Sequence, residues 1–164
     1  MNPSRILNQT KAALVLFSVA LVLSGVTAIF PREGLRLLYP LYAPESGLHR
    51  VWPSMAQWLD LVHQALEDTY ASYPFLAYGY DWLAFGHFII AIPFLMALRD
   101  PLRHSWVVAY GIGACLAVLP FALVFGAIRG IPVFWRIVDT TFGIGGLIVL
   151  LILRRRLRRL AVAV

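Results

Sequence analysis

The sequence is poor in charge and contains a single cysteine. Of its 164 residues, 13% are charged and 60% are hydrophobic, whereas about 25% of the residues of a soluble protein are charged. So few charges cannot solvate the surface of a folded domain, which excludes an ordinary soluble protein. The one cysteine, Cys115, lies within an apolar run. It cannot form an internal disulfide, and we expect it to be a small packed residue.

Sequence motifs that indicate a particular chemistry are also missing. There is no HExxH, no CxxC and no pair of histidines four residues apart, which are common spacings of zinc ligands. There is no phosphate-binding loop, dinucleotide-binding fingerprint or GxSxG nucleophile elbow. The two halves of the chain do not resemble each other, which argues against an inverted-repeat transporter. We predict no metal, and the sequence leaves the cofactor open.

What the sequence does contain is long apolar runs. A helix needs about 20 apolar residues to cross the hydrocarbon core of a membrane. Four runs meet or approach that length: residues 12–30, 82–98, Trp106–Ile128 and 131–153. The prediction is an all-α polytopic membrane protein, a four-transmembrane-helix bundle that forms a single membrane domain over residues 1–164. The first run also has a signal-peptide-like site at Val26-Thr27-Ala28, but its extension to Phe30 favours an uncleaved span.

The basic residues predict the orientation of the chain. They lie at the ends of the apolar runs, so the formal charge of +6 indicates membrane orientation and not nucleic-acid binding. With the N-terminus inside, nine of the fourteen basic residues lie on the inner side. These are Arg5, Lys11, Arg99, Arg103, Arg154, Arg155, Arg156, Arg158 and Arg159. The positive-inside rule therefore predicts a multi-pass protein of the cell inner membrane with cytoplasmic N- and C-termini.

Residues 31–79 form the one sizeable segment outside the predicted spans. Within it, Pro53-Ser54 is typical of a helix start. Apolar side chains then recur at helical spacing: Met55, Trp58, Leu59, Val62, Leu66 and Tyr70. We predict an amphipathic helix over residues 53–71 in this first outer loop, lying on the membrane surface or capping the bundle.

The connections between spans are short. Asp100 is expected to cap, and Pro101 to begin, the third helix at the inner turn. Arg129-Gly130-Ile131-Pro132 is expected to form the outer turn. Glycines in the third and fourth spans are small enough to let helix backbones approach closely in lipid. They are Gly111, Gly113, Gly143, Gly145 and Gly146.

Five ionisable residues lie in or beside the last three apolar runs, where charge is energetically unfavourable. They are Asp81, His87, Arg129, Arg136 and Asp139. At 1.5 Å per residue, His87 lies about 9 Å deeper along its helix than Asp81. Asp139 enters from the same outer side, and Arg136 can share a helical face with it. The sequence therefore predicts that the second, third and fourth spans bring these groups to one end of the bundle.

Two accounts of these five residues remain open. In the structural account, Arg136 and Asp139 form an ion pair and His87 is hydrogen-bonded to the nearby backbone or a hydroxyl. In the functional account, the arginines bind an anionic or polar headgroup, or a quinone-like carbonyl, and His87 and Asp139 transfer protons. A metal site of His87 with Asp81 or Asp139, and His63 as a further ligand, is weaker because the usual ligand spacings are missing.

The segments YPFLAYGYDWLAFGH and RGIPVFWRIVDTTFG together resemble a family of bacterial four-span integral membrane proteins. The resemblance covers roughly the second half of the chain. It implies the four-span fold and brings no activity with it, so no catalytic residue is carried over.

The predicted function is that of a bacterial inner-membrane protein with an outward-facing polar pocket. The pocket binds a lipid-like or small anionic ligand, or the protein docks in a larger membrane complex. The alternative is a membrane-embedded, quinone- or lipid-linked enzyme that uses His87 and Asp139. The expected partners are the lipid bilayer and either other membrane subunits or further copies of the chain.

Overall fold

A computed structural model describes residues 3–163, which are almost entirely helical and contain no strand. The all-α fold class is therefore confirmed. In chain order the helices are α1 (Pro3–Ile29), α2 (Pro31–Tyr42), α3 (Gly47–Val51), α4 (Pro53–Ser72), α5 (Tyr78–Met96), α6 (Trp106–Ile128) and α7 (Val133–Ala163). A short 3-10 turn, Pro74–Ala77, precedes α5.

Four of the described helical segments are long and apolar enough to cross a membrane. They are Pro3–Ile29, Pro74–Met96, Trp106–Ile128 and Val133–Val162. Their length and composition are those of an integral, multi-pass membrane protein. Both α1 and α7 continue beyond the predicted apolar runs, because the flanking arginines and lysine are good helix formers.

The described residues form two compact units. The terminal unit comprises the chain up to residue 20 and from residue 90 onwards, and the central unit comprises residues 21–89. The core of the terminal unit contains the fully buried Leu14, Phe94, Val107, Leu150 and Leu153. Segments of α1, α5, α6 and α7 all contribute to this core, so the four long helices pack together within the unit.

Helices α6 and α7 are neighbours joined by a tight turn. Gly130 in that turn has φ +71°, a left-handed conformation that glycine adopts without strain. Further along the pair, a Cβ at Gly143 would lie 2.8 Å from the carbonyl oxygen of Cys115. The predicted close approach at Gly143 is therefore confirmed, as is the burial of Cys115. By contrast, Gly113 and Gly145 face open space.

The connection between α5 and α6 is longer than expected. The Asp100 carboxylate does accept a hydrogen bond from the backbone N–H of Arg103 at 3.1 Å. The Asp100 carbonyl oxygen also accepts one from the backbone N–H of His104. These bonds close separate turns, and α6 begins at Trp106. The prediction that Pro101 begins the third helix was therefore wrong.

The central unit contains the segment that follows α1. The helix predicted from Pro53 is confirmed, since α4 covers Pro53–Ser72 and buries Met55 and Leu66. Helix α2 was not predicted, because Pro40 lies inside it and an internal proline normally argues against a helix.

Candidate functional site

The five candidate residues are divided between the two units. Asp81 lies in the first turn of α5, with His87 further along the same helix, and both belong to the central unit. Arg129 follows the last residue of α6, and Arg136 and Asp139 lie on α7, in the terminal unit. Asp81 and Arg129 are exposed, whereas the other three are partly buried.

Arg136 is held against α6 by packing and by one hydrogen bond. Its aliphatic stem lies over Gly126, where an added Cβ would be 2.6 Å from the Arg136 Cγ atom and 2.7 Å from Cδ. Its Nη1 donates to the carbonyl oxygen of Leu123 at 3.3 Å. The Nε atom is buried and has no hydrogen-bond partner among the described residues. The guanidinium is therefore fixed in place and retains an unused donor.

Asp139 is partly buried one turn further along α7. Among residues 3–163, no arginine, lysine or histidine nitrogen lies within ion-pair distance of its carboxylate. The ion pair between Arg136 and Asp139 that the structural account expects is therefore absent among these residues. The spacing of three residues places both on one helical face, but the Arg136 side chain packs over Gly126 of α6.

His87 is hydrogen-bonded to its own helix. Its Nδ1 lies 2.8 Å from the carbonyl oxygen of Leu83. A carbonyl oxygen only accepts hydrogen bonds, so Nδ1 carries the proton, and in the neutral ring Nε2 is an acceptor. The expectation that His87 bonds to the nearby backbone is confirmed.

A polar network that was not predicted from the sequence joins α2 to α4. The Arg36 guanidinium makes two hydrogen bonds to the Glu67 carboxylate, of which the bond from Nη2 to Oε2 is 2.5 Å. These bonds hold the pKa of the Glu67 carboxyl below its usual value. His63 Nε2 faces the same carboxylate at 3.5 Å. The spacing of His63 and Glu67, four residues apart on one helix, was the available signal.

The other side of His63 contacts a buried tyrosine. The Tyr42 hydroxyl donates to the carbonyl oxygen of Leu35 at 2.9 Å and lies 3.0 Å from His63 Nδ1. Because the phenol has one proton, Nδ1–H must be the donor in the second bond. Burial raises the pKa of the Tyr42 phenol, and the Asp60 carboxylate raises it further. With 2% of its surface exposed, Tyr42 has no room to contact a substrate, so the network is a clasp between two helices.

No group of three or more histidine, cysteine, aspartate or glutamate side chains in residues 3–163 is placed to hold a metal ion. His63, the further ligand considered for a metal site, instead contacts Tyr42 and Glu67.

Comparisons with protein-family models, with curated proteins and with solved structures found no match to this chain.

Proposed function

We propose that the protein is an inner-membrane binding protein whose Arg136 guanidinium holds the anionic group of a small or lipid-like ligand on the outer side. The observation that carries this proposal is the unpartnered Nε of a partly buried arginine inside a membrane-spanning helix. Ionisable groups within spans are expected to be paired or to mark a site. Arg136 has no acidic partner among the described residues.

The surroundings of Arg136 support an anion and not a neutral ligand. Packing against Gly126 limits the motion of the side chain, so little conformational entropy is lost when the guanidinium binds. A guanidinium presents several N–H donors in a fixed plane that matches a carboxylate or phosphate. Asp139 lies three residues further along α7, where its carboxyl group would favour a ligand that also offers a hydroxyl or a cationic group.

The depth of Arg136 is consistent with a ligand at the membrane surface. Along α7, Arg136 and Arg154 are separated by about 27 Å at 1.5 Å per residue. The hydrocarbon core of a bilayer is about 30 Å thick. The two residues therefore bracket roughly one bilayer core, and each lies near a headgroup layer.

A site-resolved titration tests the proposal. The full chain, labelled with [15N]arginine in a neutral detergent, is titrated with dihexanoylphosphatidic acid and, separately, with inorganic phosphate. We expect the Nε–H resonance of Arg136, assigned by its loss in Arg136→Gln, to shift and saturate. Arg136→Gln should weaken binding about 10- to 100-fold, since hydrogen bonds to charged groups contribute about 1.5–3 kcal/mol.

The matched control is Arg99→Gln, which removes the same charge at an exposed position between α5 and α6. It should leave the Arg136 titration unchanged. An Arg136 resonance that moves with neither probe, or equal losses in Arg99→Gln and Arg136→Gln, would show that Arg136 is not a ligand-binding residue.

A further inference from the structure

A half-open cavity of about 450 Å³ lies in the terminal unit, at the end of α7 far from Arg136. Its walls come from the connection between α5 and α6 and from the last turns of α7. Its lining residues are Leu102, Ser105, Arg154, Leu157, Arg158 and Ala161. Small-molecule sites typically have volumes of about 300–1,000 Å³, so the cavity is large enough for a ligand.

One face of α7 supplies most of the lining. Its four lining residues are spaced three or four positions apart, which places side chains on the same side of a helix. They are Arg154, Leu157, Arg158 and Ala161. The other three arginines of the run do not line the cavity: Arg155, Arg156 and Arg159. The basic C-terminal run is therefore divided into arginines that face the cavity and arginines that do not.

The polar side chains of the cavity have hydrogen-bond donors that no described residue uses. Among the described residues, Arg154 and Arg158 make no hydrogen bond or ion pair. Arg156, between them, is already used, since its Nη1 donates to the Gln9 carbonyl oxygen at 3.0 Å. Ser105 precedes α6, and its hydroxyl does not cap that helix. No lining side chain is acidic, so Arg154, Arg158 and Ser105 line the cavity without a neutralising carboxylate.

We propose that this cavity binds the phosphate group of an anionic membrane lipid. Arg154 and Arg158 donate to the phosphate oxygens, with the Ser105 hydroxyl as a further donor. Leu102 and Leu157 form the apolar wall against which the first part of an acyl chain packs. A lining that is both basic and apolar favours a lipid over free phosphate, because free phosphate has no apolar part to pack against Leu102 and Leu157.

The position of the cavity along the chain supports the same occupant. The apolar run of α7 ends at Leu153, directly before the first lining arginine. Arginines at the end of a span lie in the headgroup layer, and basic pockets between spans bind anionic lipid headgroups. The site is separate from the one proposed at Arg136 and depends on different residues, so either proposal can fail alone.

Two double variants with the same change in charge test the proposal. The full chain in a neutral detergent is incubated with phosphatidylglycerol or phosphatidylcholine, and retained lipid is counted by native mass spectrometry. We expect wild type to retain phosphatidylglycerol in preference to phosphatidylcholine. Arg154→Gln with Arg158→Gln should weaken retention at least about tenfold more than Arg155→Gln with Arg159→Gln, which removes only non-specific attraction.

A third variant leaves the charge unchanged. Ala161→Phe adds volume within the cavity and should reduce phosphatidylglycerol retention while every arginine remains. Thermal unfolding of each variant shows whether it is folded. If the loss of Arg154 and Arg158 impairs folding, Ala161→Phe still tests the cavity.

Three results would overturn the proposal. Equal losses in the two double variants would mean that general basic charge holds the lipid. Undiminished retention in Ala161→Phe would place the lipid outside the cavity. Displacement of phosphatidylglycerol by an equal concentration of inorganic phosphate would identify a free-anion site with no preference for lipid.

Discussion

The arginines of α7 show how local surroundings determine what a guanidinium does. Arg156 donates to the carbonyl oxygen of Gln9 and thereby ties α7 to α1. Arg136 also donates to a carbonyl oxygen, but its Nε remains unpartnered among the described residues. The aliphatic stem of Arg136 occupies the space that Gly126 leaves on α6, and its guanidinium makes no ion pair with Asp139. At the scale of single residues, a glycine on α6 thus controls an arginine on α7.

Gly126→Ala tests this control. The new Cβ would lie 2.6 Å from the Arg136 Cγ atom, which is too close for the present side-chain position, so the guanidinium must move. We expect the phosphatidic acid affinity of the Arg136 site to fall by about tenfold or more, because misplacing a charge-assisted hydrogen bond forfeits about 1.5–3 kcal/mol. The measurement is the same [15N]arginine titration.

The control for this variant is Gly113→Ala, also on α6, where a Cβ meets open space. It should leave the Arg136 resonance and the affinity unchanged. A Gly126→Ala protein that binds as wild type does would show that the position of Arg136 is unimportant for binding.

At the scale of elements, several polar contacts join α2 to α4. Arg36 and Glu67 form a bidentate pair between the two helices, and the Arg32 guanidinium lies 4.3 Å from the centre of the Tyr70 ring. Such exposed ion pairs contribute little individually. Buried Tyr42, hydrogen-bonded to the Leu35 carbonyl and close to His63, adds a water-excluded contact. Protonation of Glu67 removes the negative charge that the Arg36 guanidinium contacts, so we expect the clasp to weaken in acid.

The Arg36 hydrogen bonds lower the pKa of Glu67 in the folded protein. A carboxyl whose folded pKa is depressed stabilises the fold above its unfolded pKa, and this stabilisation is lost as the pH falls through the folded pKa. We therefore expect wild type to have a higher Tm than Glu67→Gln at neutral pH. The difference should shrink once the pH falls below the ordinary glutamate value of 4.5.

Thermal unfolding in detergent across the acid range checks this expectation. Glu45→Gln serves as the control, because the Glu45 carboxylate makes no ion pair among the described residues. Its Tm should follow that of wild type at every pH. A Tm difference for Glu67→Gln that persists unchanged in acid would contradict the assigned role of the pair.

The elements also show which features could be predicted from the sequence. The spans follow from apolar runs whose length alone distinguishes them, and residues 106–128 match the observed helix. Helix α2 was missed because its composition is mixed and Pro40 lies inside it. The contact of Arg36 with Glu67 joins positions on different helices, so it became visible only when α2 and α4 were placed. The ion pair considered for Arg136 and Asp139 is absent for another reason. Helical spacing defines which residues share a face, but it does not define the rotamer of a side chain.

At the scale of the whole molecule, the ends of the long helices carry the proposed chemistry, and their middles are apolar. In α7, Arg136 lies near one end of the apolar stretch and Arg154 directly follows the other. If α7 crosses the membrane, the first proposed site would lie in one headgroup layer and the second in the opposite layer. Only the second would meet the anionic lipids of the cytoplasmic leaflet if the C-terminus of the chain is cytoplasmic.

The orientation of the chain is the last prediction. Nine of the fourteen basic residues lie on the side that carries both termini if four spans cross the membrane, and the positive-inside rule places that side in the cytoplasm. Green fluorescent protein fused after Leu160, or inserted within residues 99–103, should therefore fluoresce. Alkaline phosphatase inserted near Glu45 should be active because it is exported. The reciprocal fusions, with the two reporters exchanged, should be silent. An active phosphatase after Leu160 would place the C-terminal arginines outside, and Arg154 and Arg158 would then face the outer leaflet and not the cytoplasmic one.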